Sequence, residues 1–418
     1  MPLLSFASDA GRYVRVPQNL HTVTHIDDGA ECDPRDVGMS AKGVAAIWNA
    51  TEQLYRSAVH PAITLVVRRR GQIVIKRAIG AVRGNLIGDD EPLVPLTTDT
   101  PICLFSASKV ISALLVHKLV DQGRLSLDDY VAAHLPEFAA HGKGAVTVRQ
   151  LLAHRAGIPA IPMAQPSVEL LRDWDNIVAL LCAAKPISQR FQRQAYHALT
   201  SGFIIGDLVR RVSGRELPEL MQEWIAAPLG CTHLTYGVAP ALRAQVPDNI
   251  GTGRKPFWPI TKFIENIVGV PFEQAVAASN TDIFLSSVVP AGNIYASADD
   301  VSRVFQMLLN GGEFNGVRVF KSETVADAIR PFGNIQFDGT MLMPIRFSAG
   351  FMLGESPVGL FGPMTRSAFG HLGFISVLGW ADPKRDISVA LLNNGKTFSP
   401  IGMARWAQLI NSIACHCD

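Results

Sequence analysis

Ser106 and Lys109 stand three residues apart at the head of the apolar stretch LFSASKVISALLVHKLVDQGRLSLDD (104–129). On a helix this spacing places both side chains on one face, a turn apart. A serine hydroxyl is a poor nucleophile near neutral pH and must pass its proton to a neighbouring base. Val110, Ile111, Leu114, Leu115, Val116 and Leu119 put apolar residues on most sides of this helix, so it is expected to run through the core. Burial disfavours an ammonium ion, so Lys109 is expected to hold a neutral amine that can accept the proton. The helix N-terminus adds amide donors and a positive dipole end, both suited to a developing oxyanion. The spacing alone has a plainer reading, a capping serine and a snorkelling lysine, because ordinary residue frequencies give about one or two such pairs in a chain of this length.

Such a pair needs a folded frame, and composition allows one. With 418 residues, 48% hydrophobic and 18% charged, the chain is globular and large enough for two or three domains or one large enzyme domain with insertions. Lys plus Arg at 38 against Asp plus Glu at 36 gives a net charge of +2, too little to imply nucleic acid or an anionic membrane. A small-molecule partner is expected. The opening MPLLSFASDAGRYVRV lacks the basic region and sustained apolar run of a secretory signal, and no stretch is long enough for a membrane span, so a cytoplasmic location is expected. The six cysteines are scattered; Cys415 and Cys417 flank His416, where a frayed, unpaired tail is expected rather than a metal site.

After an irregular N-terminal arm, Ser40 caps a predicted helix with Val44, Ile47, Thr51, Leu54 and Tyr55 on one side. AITLVV (62–67) and IVIKRAI (73–79) then read as a hairpin whose Arg68, Arg69 and Arg70 form a solvated turn. FISVLGWAD (374–382) and ISVALLNN (387–394) read as a second hairpin, followed by a helix opening at Ser399 and Pro400 with Trp406, Leu409, Ile410 and Ile413 at amphipathic spacing. Both ends thus pair a helix with a hairpin, whereas 106–286 is helical in pattern. An α/β fold is expected, with one antiparallel sheet assembled from about 40–105 and 287–418, and an all-helical lobe of 106–286 inserted between. A cleft between the lobes would house a site.

The ordered likeness of several segments to one family adds to this. TDTPICLFSASK (98–109), LVDQGRLSLDDYVAAHLPEF (119–138), TVRQLLAHRAGIP (147–159), PAGNIYASADDVSRVFQMLLNGGEFNG (290–316) and FGHLGFISVLGWADPKRDISVALLNN (369–394) together resemble the class C β-lactamase and penicillin-binding protein superfamily. Within it they are most similar to the family VIII carboxylesterases and to bacterial relatives named lipases. The resemblance implies a β-lactamase/transpeptidase-like fold and serine hydrolase chemistry without a cofactor or metal. It implies Ser106 as the acylated nucleophile and Lys109 as its proton acceptor. Tyr196, in QAYHALTSGF, falls where the family places a tyrosine sharing the proton relay as phenolate or hydrogen-bond partner. His371-Leu372-Gly373 matches the slot of the β-lactamase Lys-Thr-Gly triplet, which makes His371, Gly373 and Phe374 expected substrate contacts. The N–H groups of Ser106 and Phe374, the latter expected on an edge strand, would form the oxyanion hole.

Two departures bear on substrate. The tyrosine motif reads Tyr196-His197-Ala198, where β-lactamases carry an asparagine third, and His371 replaces a fixed cation, though a protonated histidine would partly replace it. Both changes argue against efficient β-lactam or peptidoglycan chemistry and leave ester hydrolysis intact. A β-lactamase or D-amino-acid peptidase, an acyltransferase and a non-catalytic binding or self-assembling relative remain the alternatives. The stretch PFWPITKFIENIVGVPF (256–272) reads equally as a lid or pocket wall and as a helix covering core. No Gly-x-Ser-x-Gly elbow or His-Glu-x-x-His motif occurs; Gly395-Lys396-Thr397 reads as a turn, and His154 as a structural hydrogen-bonding residue near the cleft.

Overall fold

A computed structural model describes residues 11–163, 166–188, 193–256 and 258–418. The first ten residues of the N-terminal arm and Phe257 of the 256–272 stretch lie outside the described residues. A short strand, β1 (Thr24–Ile26), precedes helix α1 (Ala41–Arg56), which begins where Ser40 Oγ accepts the Gly43 N–H at 3.0 Å. The hairpin β2 (Ala62–Arg69) and β3 (Gln72–Arg83) follows. The central stretch contains α2 (Ser108–Asp121), α3 (Thr200–Ser213), α4 (Ile260–Val268) and α5 (Phe272–Ala278), before α6 (Ala298–Leu309). Then come β4 (Gln336–Phe337), β5 (Pro344–Phe347), β6 (Met352–Leu353), β7 (Phe369–Leu372), β8 (Leu378–Asp382), β9 (Ile387–Asn393) and the last helix, α7 (Pro400–His416).

These strands form one antiparallel sheet in the order β1-β3-β2-β9-β8-β7-β6-β5-β4, with Val94–Pro95 beside β3 as a tenth strand. The joint between the two chain ends is β2 against β9, in register from Ile63↔Asn393 to Arg69↔Ile387. Strand side chains alternate between faces. Ile63, Leu65 and Val67 pack with α1 and α7, whereas Val66 and, from β9, Ala390 and Leu392 pack with α6 and the helices of the central stretch. Both faces are therefore covered, which explains why these strands are apolar throughout rather than alternating. Helix α2 is buried from Ser108 to His117 and lies in the larger of the two main cores. Among the described residues, no helix is long and apolar enough to cross a membrane.

Five sequence expectations are corrected. The 106–286 stretch is not all helical, since Thr235–Tyr236 and Ile250–Gly251 are short strands. Of the three arginines, only Arg70 is exposed: Arg68 pairs with Asp299 and donates to Ser302 Oγ at 2.8 Å, and Arg69 donates to the backbone carbonyls of Arg385 and Cys417. The C-terminus is consequently not frayed, since Arg69 and Arg385 bind the end of α7 and bury Cys417. Gly395-Lys396 is not a turn but a buried two-residue strand parallel to Ile250–Gly251. Finally, 374–377 does not continue into β8. The Gly373 N–H donates to the Val377 carbonyl at 2.7 Å and closes a loop there, so Phe374 lies between β7 and β8, and β7 is interior to the sheet rather than an edge.

Candidate active site

Ser106 sits in a single 3-10 turn (Phe105–Ala107) that runs directly into α2. Phe105 has φ +46°, a left-handed conformation uncommon for a bulky residue and typical of functional turns. It leaves Phe105 and Ser106 partly exposed while Ala107, Ser108 and Lys109 are buried. Lys109 Nζ lies 3.2 Å from Ser106 Oγ, 2.7 Å from the Ala198 carbonyl oxygen and 3.2 Å from that of Ala291. Burial, with no compensating carboxylate among its influences, drives the Lys109 pKa well below 10.5. A neutral amine has two N–H bonds and one lone pair. In that neutral form the two carbonyls would take the N–H bonds, and the lone pair would face Ser106 Oγ.

Tyr196 precedes α3, and Ser106 is close enough to its phenol to bear on its ionisation. Burial is the main cause that raises its pKa, so the side chain is a neutral phenol and not a phenolate. A lysine whose charged form burial disfavours and a tyrosine whose ionised form burial disfavours thus lie close to the same serine.

His154, in TVRQLLAHRAGIP, supports this arrangement. The His197 N–H donates to His154 Nδ1 at 3.2 Å, the Ala195 N–H donates to the His154 carbonyl at 3.1 Å, and the Ile158 N–H donates to His197 Nε2 at 3.1 Å. The His154 ring is 4.6 Å from that of Tyr196, centroid to centroid. A structural, hydrogen-bonding role is what the sequence suggested for it.

His371 lies in β7, fully buried, with its ring centroid 6.1 Å from that of Tyr196. Its Nδ1–H donates to the Leu372 carbonyl at 2.8 Å, and burial pushes its pKa down to about 3. It is therefore a neutral imidazole near neutrality, and the partial replacement of the lost cation by a protonated histidine does not occur there. Gly373 packs against the Leu104 carbonyl, which brings the loop carrying Phe374 onto the turn carrying Ser106. The Phe374 ring is 5.6 Å from that of Phe105 and 5.8 Å from that of Phe272 on α5, which in turn is 5.8 Å from Phe398. Ile264, Phe272 and Val276 form a small core of their own with Ile260, Val268, Ile375 and Phe398 against Phe374. The 256–286 segment thus reaches an aromatic wall that begins beside the serine.

The sequence matches the family described as Beta-lactamase over residues 49–411. The chain belongs to the β-lactamase family. Among curated proteins it is similar to the esterase/β-lactamase LipL of Mycobacterium tuberculosis, 28% identical over 401 residues, covering 93% of this chain and 90% of LipL. Among solved structures it resembles a penicillin-binding protein homologue from Caulobacter crescentus, with TM-score 0.79, 30% identity and coverage of 91% and 99% of the two chains. It also resembles a family VIII carboxylesterase, with TM-score 0.77, 26% identity and coverage of 91% and 99%. These likenesses make the chain a serine hydrolase of the β-lactamase family.

In this member of the β-lactamase family, the third position of the tyrosine motif contributes only backbone. Ala198 offers its carbonyl to Lys109 and a methyl group in place of a side-chain amide. The carbonyls of Ala198 and Ala291 were beyond sequence reasoning, because any residue has one. Lys396 was also missed: it is fully buried, its Nζ donates to the Asn393 carbonyl at 2.9 Å and stands 4.8 Å from the Phe105 ring centroid, and burial lowers its pKa to about 7. Its place within the polar-looking Gly395-Lys396-Thr397 gave no hint of burial.

Proposed function

We propose that the chain is a serine esterase that hydrolyses uncharged carboxylic esters through a Ser106 acyl-enzyme, with Lys109 and Tyr196 as the proton relay. The observation that carries the reading is the desolvated Lys109 amine, 3.2 Å from Ser106 Oγ, with its N–H bonds already taken by two carbonyls.

In acylation, Ser106 Oγ bonds to the ester carbonyl carbon as its proton passes to Lys109 Nζ. The carbonyl oxygen becomes an oxyanion facing the Ser106 and Phe374 N–H groups. Collapse breaks the bond to the alcohol oxygen, which takes a proton from the Tyr196 phenol; Lys109 then returns the serine's proton to Tyr196. Water repeats the sequence on the acyl-enzyme and frees the acid. An alcohol in place of water would make the same site an acyltransferase.

Esters are favoured over β-lactams because the two groups that would hold such a drug are gone. Ala198 supplies no side-chain donor, and His371 stays neutral. The wall of Phe105, Phe374, Phe272 and Phe398 favours an apolar acyl or alcohol part, as in a lipase, and makes the 256–286 segment its lid.

The test is Ser106→Ala. It should abolish hydrolysis of p-nitrophenyl acyl esters and labelling by a fluorophosphonate, with the circular dichroism spectrum unchanged. Undiminished turnover in that variant refutes the assignment. Turnover of nitrocefin at a rate matching that of the esters would favour the β-lactamase reading instead.

A further inference from the structure

We infer that Asp338 is a positioning residue that sets the Tyr196 phenol against Ser106 by gripping the backbone that carries it. The inference rests on the proposed role of Tyr196 as proton donor to the leaving alcohol.

Asp338 follows β4 in the sequence Asp338-Gly339-Thr340, and its side chain is fully buried. Its Oδ1 accepts three backbone N–H groups. Those of Thr340 and Met341, both at 2.9 Å, close its own loop, as an aspartate commonly does at a turn. The third is the N–H of Tyr196 at 3.0 Å, 142 residues away in sequence. The Gly339 N–H adds a second strut by donating to the Gln194 carbonyl at 3.0 Å. The other side of the same segment is held by His154, which takes the N–H groups of Ala195 and His197. Successive N–H groups of an extended chain point to opposite sides. Residues 195–197 are thus clamped between His154 on one side and Asp338 on the other, and the central member of the clamp is the residue whose phenol lies near the nucleophile.

Hydrogen bonds to a carboxylate are stronger than those to a neutral acceptor, which suits a fixed support. The cost is visible in the same side chain. Asp338 Oδ2 is buried and has no hydrogen-bond partner among the described residues, a rare condition that closing a surface turn does not require. Loss of the grip should let Tyr196 drift from Ser106 while leaving Ser106 and Lys109 in place, since neither touches Asp338.

A leaving-group comparison separates this from a merely structural role. p-Nitrophenolate departs without a proton, whereas ethoxide needs one, so a defect in the proton donor falls on ethyl esters. The value of kcat/KM would be measured for p-nitrophenyl butyrate and ethyl butyrate in the wild type and in Tyr196→Phe, Asp338→Ala, Asp338→Glu and Asp338→Asn. Tyr196→Phe should raise the p-nitrophenyl to ethyl ratio by about a hundredfold or more, the low end of what a general acid contributes. Asp338→Ala should raise it likewise, and Asp338→Asn, which keeps an oxygen acceptor at the Oδ1 position, should return it to within about threefold of the wild type. If Asp338→Ala does not fold, Asp338→Glu, which displaces the acceptor by one methylene, should show the same bias. Equal losses on both esters in Asp338→Ala or Asp338→Glu, with Tyr196→Phe biased, overturn the inference and leave the role of Tyr196 standing. An unbiased Tyr196→Phe overturns that role itself.

Discussion

Gly373 meets Leu104 backbone to backbone: a Cβ at position 373 would lie 2.2 Å from the Leu104 carbonyl oxygen and 3.0 Å from Val377 Cβ. No atoms tolerate the first distance, so Gly373→Ala must push the Phe374 loop away from the Ser106 turn. With the proposed oxyanion donor Phe374 displaced, kcat should fall by about 10²–10³-fold. Overpacking should cost about 1–3 kcal/mol of stability. Kinetics on p-nitrophenyl butyrate and a thermal melt would check both effects, and a variant with native kcat would remove the Phe374 amide from the mechanism.

The rate should depend on pH through Lys109. Its pKa is depressed by burial, and only the neutral amine accepts the serine proton, so kcat/KM should rise with pH through that lowered pKa and then level off. The phenol, with its pKa raised, imposes no loss near neutrality. Lys109→Met should be inactive at every pH yet melt higher than the wild type at pH 7, because folding then no longer has to strip a charge from the amine. A wild-type profile falling from pH 6 to pH 8 would contradict the assignment of Lys109 as base.

Lys396 gives a stability prediction with a defined window. Its folded pKa of about 7 lies below its ordinary 10.5. Between those values the unfolded chain binds the extra proton, so stability rises with pH, and below about 7 the penalty is constant. From pH 7 to pH 9 this group should add roughly 2–3 kcal/mol, at about 1.4 kcal/mol per unit. The pH 7 to pH 9 gain in unfolding free energy from denaturant titrations should be larger in the wild type than in Lys396→Met by that amount. Parallel pH dependences would show that the amine stays charged in the fold.

Phe272 should set acyl preference. Its ring backs Phe374 and Phe398, and Phe272→Ala would remove the middle of the wall. Each methylene buried there is worth about 0.8 kcal/mol. Across p-nitrophenyl esters from acetate to octanoate, the wild type should gain kcat/KM with chain length, and the variant should lose about tenfold of that gain. An unchanged chain-length series would place the acyl group elsewhere.

Much of the frame was legible because it rests on local pattern. The cap at Ser40, the two hairpins and the approach of Ser106 to Lys109 all follow from periodicity and from a spacing of three. Tyr196 was found only through family likeness, since a lone tyrosine before a helix has no pattern of its own. What stayed hidden depends on contacts distant in sequence. Arg68 and Arg69 look like turn residues until Asp299 and the end of α7 are brought to them, and Phe374 looks like strand until the Gly373 to Val377 bond closes its loop. Asp338-Gly339 announces a turn, but nothing in it announces that the same oxygen also holds Tyr196.

The seam between β2 and β9 has a bearing on biosynthesis. There the Ala62 N–H donates to Asn394 Oδ1, 332 positions further along the chain. While the polypeptide is still emerging from the ribosome, β2 and β3 wait with one long edge bare, and an exposed edge invites pairing with other chains. Helix α2 and its neighbours draw on nearer contacts and are free to collapse first. Completion of the sheet is therefore a late event, and the yield of active protein should respond to chaperone supply and growth temperature more than the stability of the finished fold would suggest.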